Sequence, residues 1–362
     1  MRESAHISPM PDGMGPEDWE YIGQGLQQRM ALMEALVLDV HGSQSLLKQG
    51  LIPAALAVGH SGHVPLLRGI QPKAGRWLAM ATFQIGRSAS GWQVLSTRTC
   101  LPWHDRAREV LARAMAPWAQ SWMDHTESAT NRDLWVLLDP LITECSAQAS
   151  APDAPHWPGH LPRVSPRNLQ VQDWRLQLST AEGPKQVHGL IHPGADGPID
   201  PLEQNANLHE GLAGLIQAFR QQSLSMLNAP GLGFLHTPAW SGFMGPLCRH
   251  VLQQDLILPS IPTWWCGESG VLPNAMDLWT QGWLLPTYPD DGLRPPQAAL
   301  HGARLSPGQR QAWRTTLEQH GEHHTIQAEW PAGPVHEMVV LMGPQGQCQL
   351  LCTGTQPPSE WS

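Results

Sequence analysis

A chain of 362 residues with 41% hydrophobic content can bury a sizeable core and is expected to fold as two or three lobes of one assembly. Lysine and arginine total 22 against 31 aspartates and glutamates, a formal net charge of -9 with no basic run to interrupt it, which excludes nucleic acid as a partner. No apolar run approaches the roughly 20 residues that span a bilayer. The six cysteines form no CxxC pair and no signal-peptide pattern opens the chain, so reduced thiols, no membrane and a cytoplasmic location are expected. Lysine is scarce, with only Lys48, Lys73 and Lys185, which leaves few cations to hold phosphates.

The first predicted element is a helix opening at Pro16, with Glu17, Asp18 and Glu20 at the positive end of its dipole. Trp19, Ile22, Leu26, Met30, Met33, Val37 and Val40 recur at three- and four-residue steps and make one core-facing stripe, ended at Gly42. Arg29 reads as a surface arginine paired with a neighbouring carboxylate. Residues 77–85 and 92–99 read as a hairpin, 105–123 as a helix and 134–145 as a buried apolar run. The Pro-, Ala- and Ser-rich stretch 146–167 reads as a linker, giving lobes at 1–145 and 168–362. Strands are expected over 169–178 and 186–191, then a helix over 209–227 with Asp200 or Glu203 as its cap, then a glycine loop through Asn228, Gly231 and Gly233.

Further on, residues 256–267 (LILPSIPTWWCG) read as a short strand entering a tight corner, with Trp264 and Trp265 packed and Gly267 where a side chain would clash. At least one of those rings is expected beneath the loop 228–233. Ser306-Pro307-Gly308-Gln309 is a capping box for a helix to about residue 319. His320, His323 and His324 lack a Cys or acidic ligand at tetrahedral spacing and read as a solvated helix end, so no metal site is expected.

Several of these motifs recur together elsewhere. Gly25, Leu26, Gln28, Arg29, Asp39, Gly42, Gln44 and Gly50, then Asp200-Pro201-Leu202-Glu203, then the loop 228–233, then Leu258-Pro259-Ser260 and Thr263-Trp264-Trp265-Cys266-Gly267, follow in order at compatible spacing. This arrangement resembles the circularly permuted ATP-grasp proteins of the second type, without their usual leading segment. The resemblance implies an α+β fold, ATP-grasp-like with circularly permuted lobes. Active members look like carboxylate–amine ligases that use ATP and magnesium to form an acyl phosphate. It also places Asn228, Gly231, Gly233 and Gln327 at cofactor-binding positions.

The chain departs from that family where chemistry is done. Gln84 stands for an aspartate, Ser96-Thr97 for the acidic magnesium positions, Trp103-His104 for Ser-Gly, and His192-Pro193 for a pair of arginines. Asn205 and Asn207 replace Arg and Asp, Leu285 replaces a basic residue, and Ala328 replaces a glutamate. Serine and threonine hydroxyls do not offset the dehydration of magnesium. The expectation is a catalytically degenerate paralogue that needs no cofactor and scaffolds or regulates a protein partner such as an active ATP-grasp ligase. The alternative is a working ligase with a rebuilt site, for which Arg87, Arg98, Asp200, Glu203 and Glu329 would converge on one cleft. A small-molecule binding module in the Trp-rich cleft is the third reading.

Overall fold

The computed structural model describes residues 10–11, 13–102, 105–125, 134–138, 161–192, 199–204, 211–287 and 299–356. Helix α1 (Pro16–Val40) forms as its stripe requires, with Pro16 in its first turn and Ile22, Leu26, Met30, Met33, Val37 and Val40 buried. Asp39 then ties the turn into α2 (Ser45–Lys48), its carboxylate accepting from the Ser45 and Leu46 amides at 2.7 and 3.0 Å. After an irregular stretch come the hairpin β1 (Met80–Ser88) and β2 (Gly91–Arg98) and helix α3 (Asp105–His125). The middle of the chain carries β3 (Trp135–Leu138), β4 (Arg163–Val164), β5 (Leu169–Gln172), β6 (Arg175–Thr180), β7 (Gly183–Gln186), β8 (Gly189–Ile191), α4 (Leu215–Arg220) and β9 (Ser225–Leu227). Next are α5 (Trp240–Leu247), β10 (Thr263–Trp265), α6 (Leu272–Trp279), β11 (Trp283–Pro286) and β12 (Leu300–His301). Helix α7 (Pro307–His320), β13 (His324–Gln327), β14 (Val335–Met342) and β15 (Cys348–Gln356) complete the order.

Four sheets result. The antiparallel sheet β15-β14-β1-β2 joins the first hairpin to the last two strands. Strand alternation gives it two covered faces. Phe83, Ile85, Met338 and Val340 pack with the α1 stripe, while Met80, Val339, Leu341 and Leu351 pack with Ala107, Leu111, Met115 and Trp118 of α3. A second antiparallel sheet, β10-β13-β11-β12, sets Leu284 and Ile326 against Ala275 and Trp279 of α6 and Leu317 of α7. The order β4-β3-β8-β9 is parallel throughout, and β5-β6-β7 is a small antiparallel meander.

The structure corrects several expectations. Residues 169–178 are two strands, because the chain reverses at Asp173 and Trp174, both at positive φ. The helix expected over 209–227 shrinks to α4, followed by strand β9, since Gly214 and Ser223 interrupt the apolar pattern at each side. The stretch 146–167 is not all linker: β4 lies inside it, and the parallel sheet takes strands from both sides of it. Arg29 is no surface residue. It is 2% exposed and donates from Nε and Nη2 to Leu258 O at 3.1 and 2.7 Å, and from Nη2 to Ser260 Oγ at 2.9 Å. Burial lowers its pKa to about 9. Gly25, one turn earlier, permits this approach, because a Cβ there would lie 2.4 Å from Leu258 Cβ.

Candidate functional site

The segment clamped by Arg29 continues to the second antiparallel sheet. Pro259 O accepts from the Val94 amide and Ile261 N donates to Val94 O, both at 2.9 Å, so β2 is bridged to the strand that follows. This juncture sets the sheet β15-β14-β1-β2 beside β10-β13-β11-β12. Of the positions singled out from the sequence, Gln84, Arg87, Ser96, Thr97, Arg98, Leu285 and Gln327 lie on these two sheets, and Asn228, Gly231 and Gly233 on the loop 228–233.

On the first sheet, cross-strand partners share a face. Ser96, Gln84 and Glu337 form one row, with Ser96 Oγ donating to Gln84 Oε1 at 2.7 Å. Thr353 Oγ1 donates to Glu337 Oε1 at 2.6 Å. Arg98 pairs with Thr82 and stands on this same face, exposed. Thr97 pairs with Phe83 and so belongs to the opposite face, toward α1. Arg87 is also on the α1 side. It meets Asp18 at 3.4 Å and lies 5.6 Å from the Trp92 ring centroid.

The other rebuilt-site candidates are elsewhere. Asp200 is fully buried, and its carboxylate accepts from the amides of Leu202, Gly214 and Ile216 at 3.0, 3.1 and 3.0 Å, capping α4 from a distance. Glu203 is exposed on the turn after it. Glu329 is exposed beyond β13, 3.5 Å from His301 Nε2. The structure sets Arg98 on the face of the Gln84 row, one row along, but does not bring Arg87 or Asp200 there.

The positions assigned to cofactor binding are occupied by the protein itself. Asn228 is fully buried. Its Oδ1 accepts from the amides of Ala79 and Met80 at 2.7 and 2.9 Å, and its Nδ2 donates to Met80 O and Thr99 O at 2.9 and 2.6 Å. Gly231, at φ 84°, turns its carbonyl to His41 Nε2 at 3.1 Å. Gly233 opens a buried 3-10 turn (Gly233–His236) against Gly62, whose added Cβ would lie 2.5 Å from Gly233 C. Gln327 is 1% exposed, donates to Leu95 O at 3.2 Å and Thr263 Oγ1 at 3.3 Å, and accepts from Trp330 Nε1 at 3.0 Å. Leu285, 3% exposed, pairs with Thr325 on the face opposite Leu284.

The corner after β10 is built as its glycine suggests, since a Cβ on Gly267 would meet the Trp265 ring at 2.3 Å. Trp265 is buried and donates from Nε1 to Glu322 O at 3.0 Å, while Trp264 is half-buried against the α6 and α7 cluster. Burial pushes the Cys266 thiol up to about 12, far from the thiolate a nucleophile needs. His324 is buried, with Nδ1 against His320 O at 3.1 Å, so that part of the expected solvated helix end is closed.

The chain belongs to the circularly permuted ATP-grasp type 2 family. Its family model matches residues 11–123 and 160–343. An uncharacterized protein of Mycobacterium tuberculosis is 26% identical over 299 residues, covering 75% of this chain and 33% of its own length. One from Synechocystis is 23% identical over 279 residues, covering 72% and 58%. A Frankia alni protein named as a glutamate–cysteine ligase is 22% identical over 296 residues, covering 72% and 32%. The chain thus spans about a third of the length of the mycobacterial and Frankia relatives. Among solved structures, a glutathione synthetase-like effector from Globodera pallida in its apo form has a TM-score of 0.52 at 8% identity, covering 97% of this chain and 87% of that one, which shows a shared fold.

ATP-grasp ligases use ATP with magnesium, so the donors present can be tested against that ion. Magnesium takes hard, charged oxygens. Gln84, Ser96 and Thr97 supply none, and Thr97 faces away from the other two. Glu337 is the one carboxylate in the row, with an oxygen engaged by Thr353. Among the described residues no three His, Cys, Asp or Glu side chains gather as a metal set. These donors do not fit the ion. Trp103, His104, Pro193, Asn205 and Asn207 lie outside the described residues.

Sequence reasoning passed over Glu34 and Glu337. Glu337 is the single carboxylate of β14, and Glu34 stands on α1 between the buried Met33 and Leu36; that apolar setting was the signal available. Glu34 accepts from the Trp77 and Leu78 amides at 2.9 and 2.7 Å, and burial raises its pKa.

Proposed function

We propose that this chain keeps the ATP-grasp ligase-like scaffold as a binding or regulatory protein, without Mg-ATP-dependent ligation of its own, and that its partner is a protein such as an active ATP-grasp ligase. The observation that supports this reading is the Ser96–Gln84 hydrogen bond, which closes two positions of the magnesium-bearing hairpin onto each other. Neutral groups bonded to one another need no counterion and cost little to bury, whereas carboxylates left without metal would be expensive to desolvate. Leu285, Asn228 and Gln327 follow the same pattern: each is spent on the protein's own packing or hydrogen bonds.

A rebuilt ligase that uses ATP and magnesium is the second reading, favoured by Glu337, which puts one negative charge beside Gln84 on the same sheet face as Arg98. Isothermal calorimetry with Mg-ATP separates the two. Absence of binding heat at millimolar nucleotide agrees with the scaffold. Micromolar binding together with magnesium-dependent ATP turnover would establish the ligase.

A further inference from the structure

Two buried imidazoles, neither called for by the site described above, lie where α1, the 54–70 segment and the glycine loop meet. His41, the residue after α1, is 1% exposed and stacks on Trp77 with centroids 4.4 Å apart. His63, 8% exposed, stacks on it at 5.0 Å with an interplanar angle of 16°. His41 Nε2 faces Gly231 O, so Nε2 carries the proton and Nδ1 is bare. That Nδ1 and both ring nitrogens of His63 are buried without a hydrogen-bond partner among the described residues. Native proteins seldom leave three buried ring nitrogens in this state.

Backbone contact makes the pair mechanically relevant. Gly62 lies against Gly233 so closely that a Cβ there would sit 2.5 Å from the Gly233 carbonyl carbon, and a Cβ on Gly231 would be 3.1 Å from His41 Cε1. The Gly69 amide also donates to His41 O at 2.6 Å. The 54–70 segment therefore covers the glycine loop, and the two imidazoles form the contact between them.

We propose that His41 and His63 are an acid-operated latch: neutral, they hold the 54–70 segment over the glycine loop; protonated, they repel and release it, exposing the Gly231–Gly233 backbone. Two cations 5.0 Å apart in an apolar site cannot be accommodated without partners. Burial lowers the pKa of His63 and takes that of His41 from 6.5 to about 4, with His63 adding to the effect. Because the folded values lie below the unfolded ones, the latch is complete above about pH 6.5 and is lost as pH falls toward about 4.

The carboxylates on the packed elements do not account for a loss in this window. Glu34, on α1, has a raised pKa, so its protonation favours the fold as pH falls. Asp39 has its pKa lowered by the Ser45, Leu46 and Ser43 donors, and gives way only in stronger acid. His60 accepts the Gly62 amide at Nδ1 at 2.9 Å, a bond that a proton on that nitrogen would break.

Amide hydrogen exchange of the full chain, corrected for intrinsic rates, tests the latch. Between about pH 6.5 and about pH 4.5, protection of 54–70 and 228–236 should fall at least about tenfold while β14 stays constant. His63→Leu, or His63→Gln if the leucine variant does not fold, should leave only the His41 contribution and make the fall at least about threefold smaller than in the wild type. The proposal is overturned if the wild-type chain shows no fall, if β14 loses protection in parallel, or if a folded variant falls as the wild type does.

Discussion

Glu34 and Asn228 divide four consecutive backbone amides between them: the two oxygens of Glu34 take those of Trp77 and Leu78, and Oδ1 of Asn228 takes those of Ala79 and Met80. These four amides are met by side chains rather than by the ladder, and a buried amide left unpaired costs about 1–3 kcal/mol. Residues 194 apart in sequence thus share one task, fixing the entry of β1 between α1 and the glycine loop.

Asn228→Ala should therefore destabilise the protein by about 3 kcal/mol or more, since it strands two amides and the carbonyls of Met80 and Thr99. Urea unfolding would show a lower midpoint with an unchanged slope. A loss below about 1 kcal/mol would mean the amides find other partners.

Mg-ATP should leave the melting temperature unchanged. A ligand at about 100 times its Kd stabilises by about 2.7 kcal/mol, which a thermal scan detects readily. Such a shift at millimolar nucleotide would contradict the scaffold reading.

Of the adjacent tryptophans, Trp265→Ala should cost about 3–5 kcal/mol and Trp264→Ala clearly less. The first ring is buried and hydrogen-bonded to Glu322 O, whereas the second is half-buried. Equal, near-neutral effects in denaturant unfolding would instead mark the pair as an exposed surface.

The double change Thr97→Asp with Leu285→Lys should lower stability by at least about 2 kcal/mol and confer no ATP hydrolysis. Residue 285 is 3% exposed, which penalises an ammonium. A carboxylate at 97 would stand on the α1 side of the sheet, away from Gln84 and Ser96. Magnesium-dependent turnover by this variant would show that the site had been nearly intact.

Elements with a local cause were legible in the sequence. The α1 stripe and the Ser306–Gln309 capping box both stand as read, because three- and four-residue spacing and reciprocal end-capping act within a few residues. The turn at Asp173-Trp174 was missed because it contains no glycine, although both residues take positive φ. Asp200 was recognised as a cap, but for a helix starting too early, because its partners at Gly214 and Ile216 are met only in three dimensions. Arg29 was misplaced for a related reason: a helix pattern identifies an apolar stripe, and cannot show that the Leu258 carbonyl and the Ser260 hydroxyl, over 200 residues later, will receive a buried guanidinium. The site suffered most from this limit. Asn228, Gly231 and Gln327 were chosen as ligand contacts, and whether such groups face a ligand or their own backbone is decided by tertiary packing.

The pairing of β1 with β14 also sets an order of events during synthesis. Met80 opposes Leu341 and Gly86 opposes Val335, so the first hairpin waits some 250 residues for its neighbour. Until then β1 offers an unpaired edge and the apolar face meant for α1 and β14 together, a pattern that slows folding and invites wrong pairing. Helix α1, able to cover Phe83 and Ile85 as soon as the hairpin emerges, is placed to shield that face in the interval. The nascent chain thus depends early on the helix and late on the last two strands.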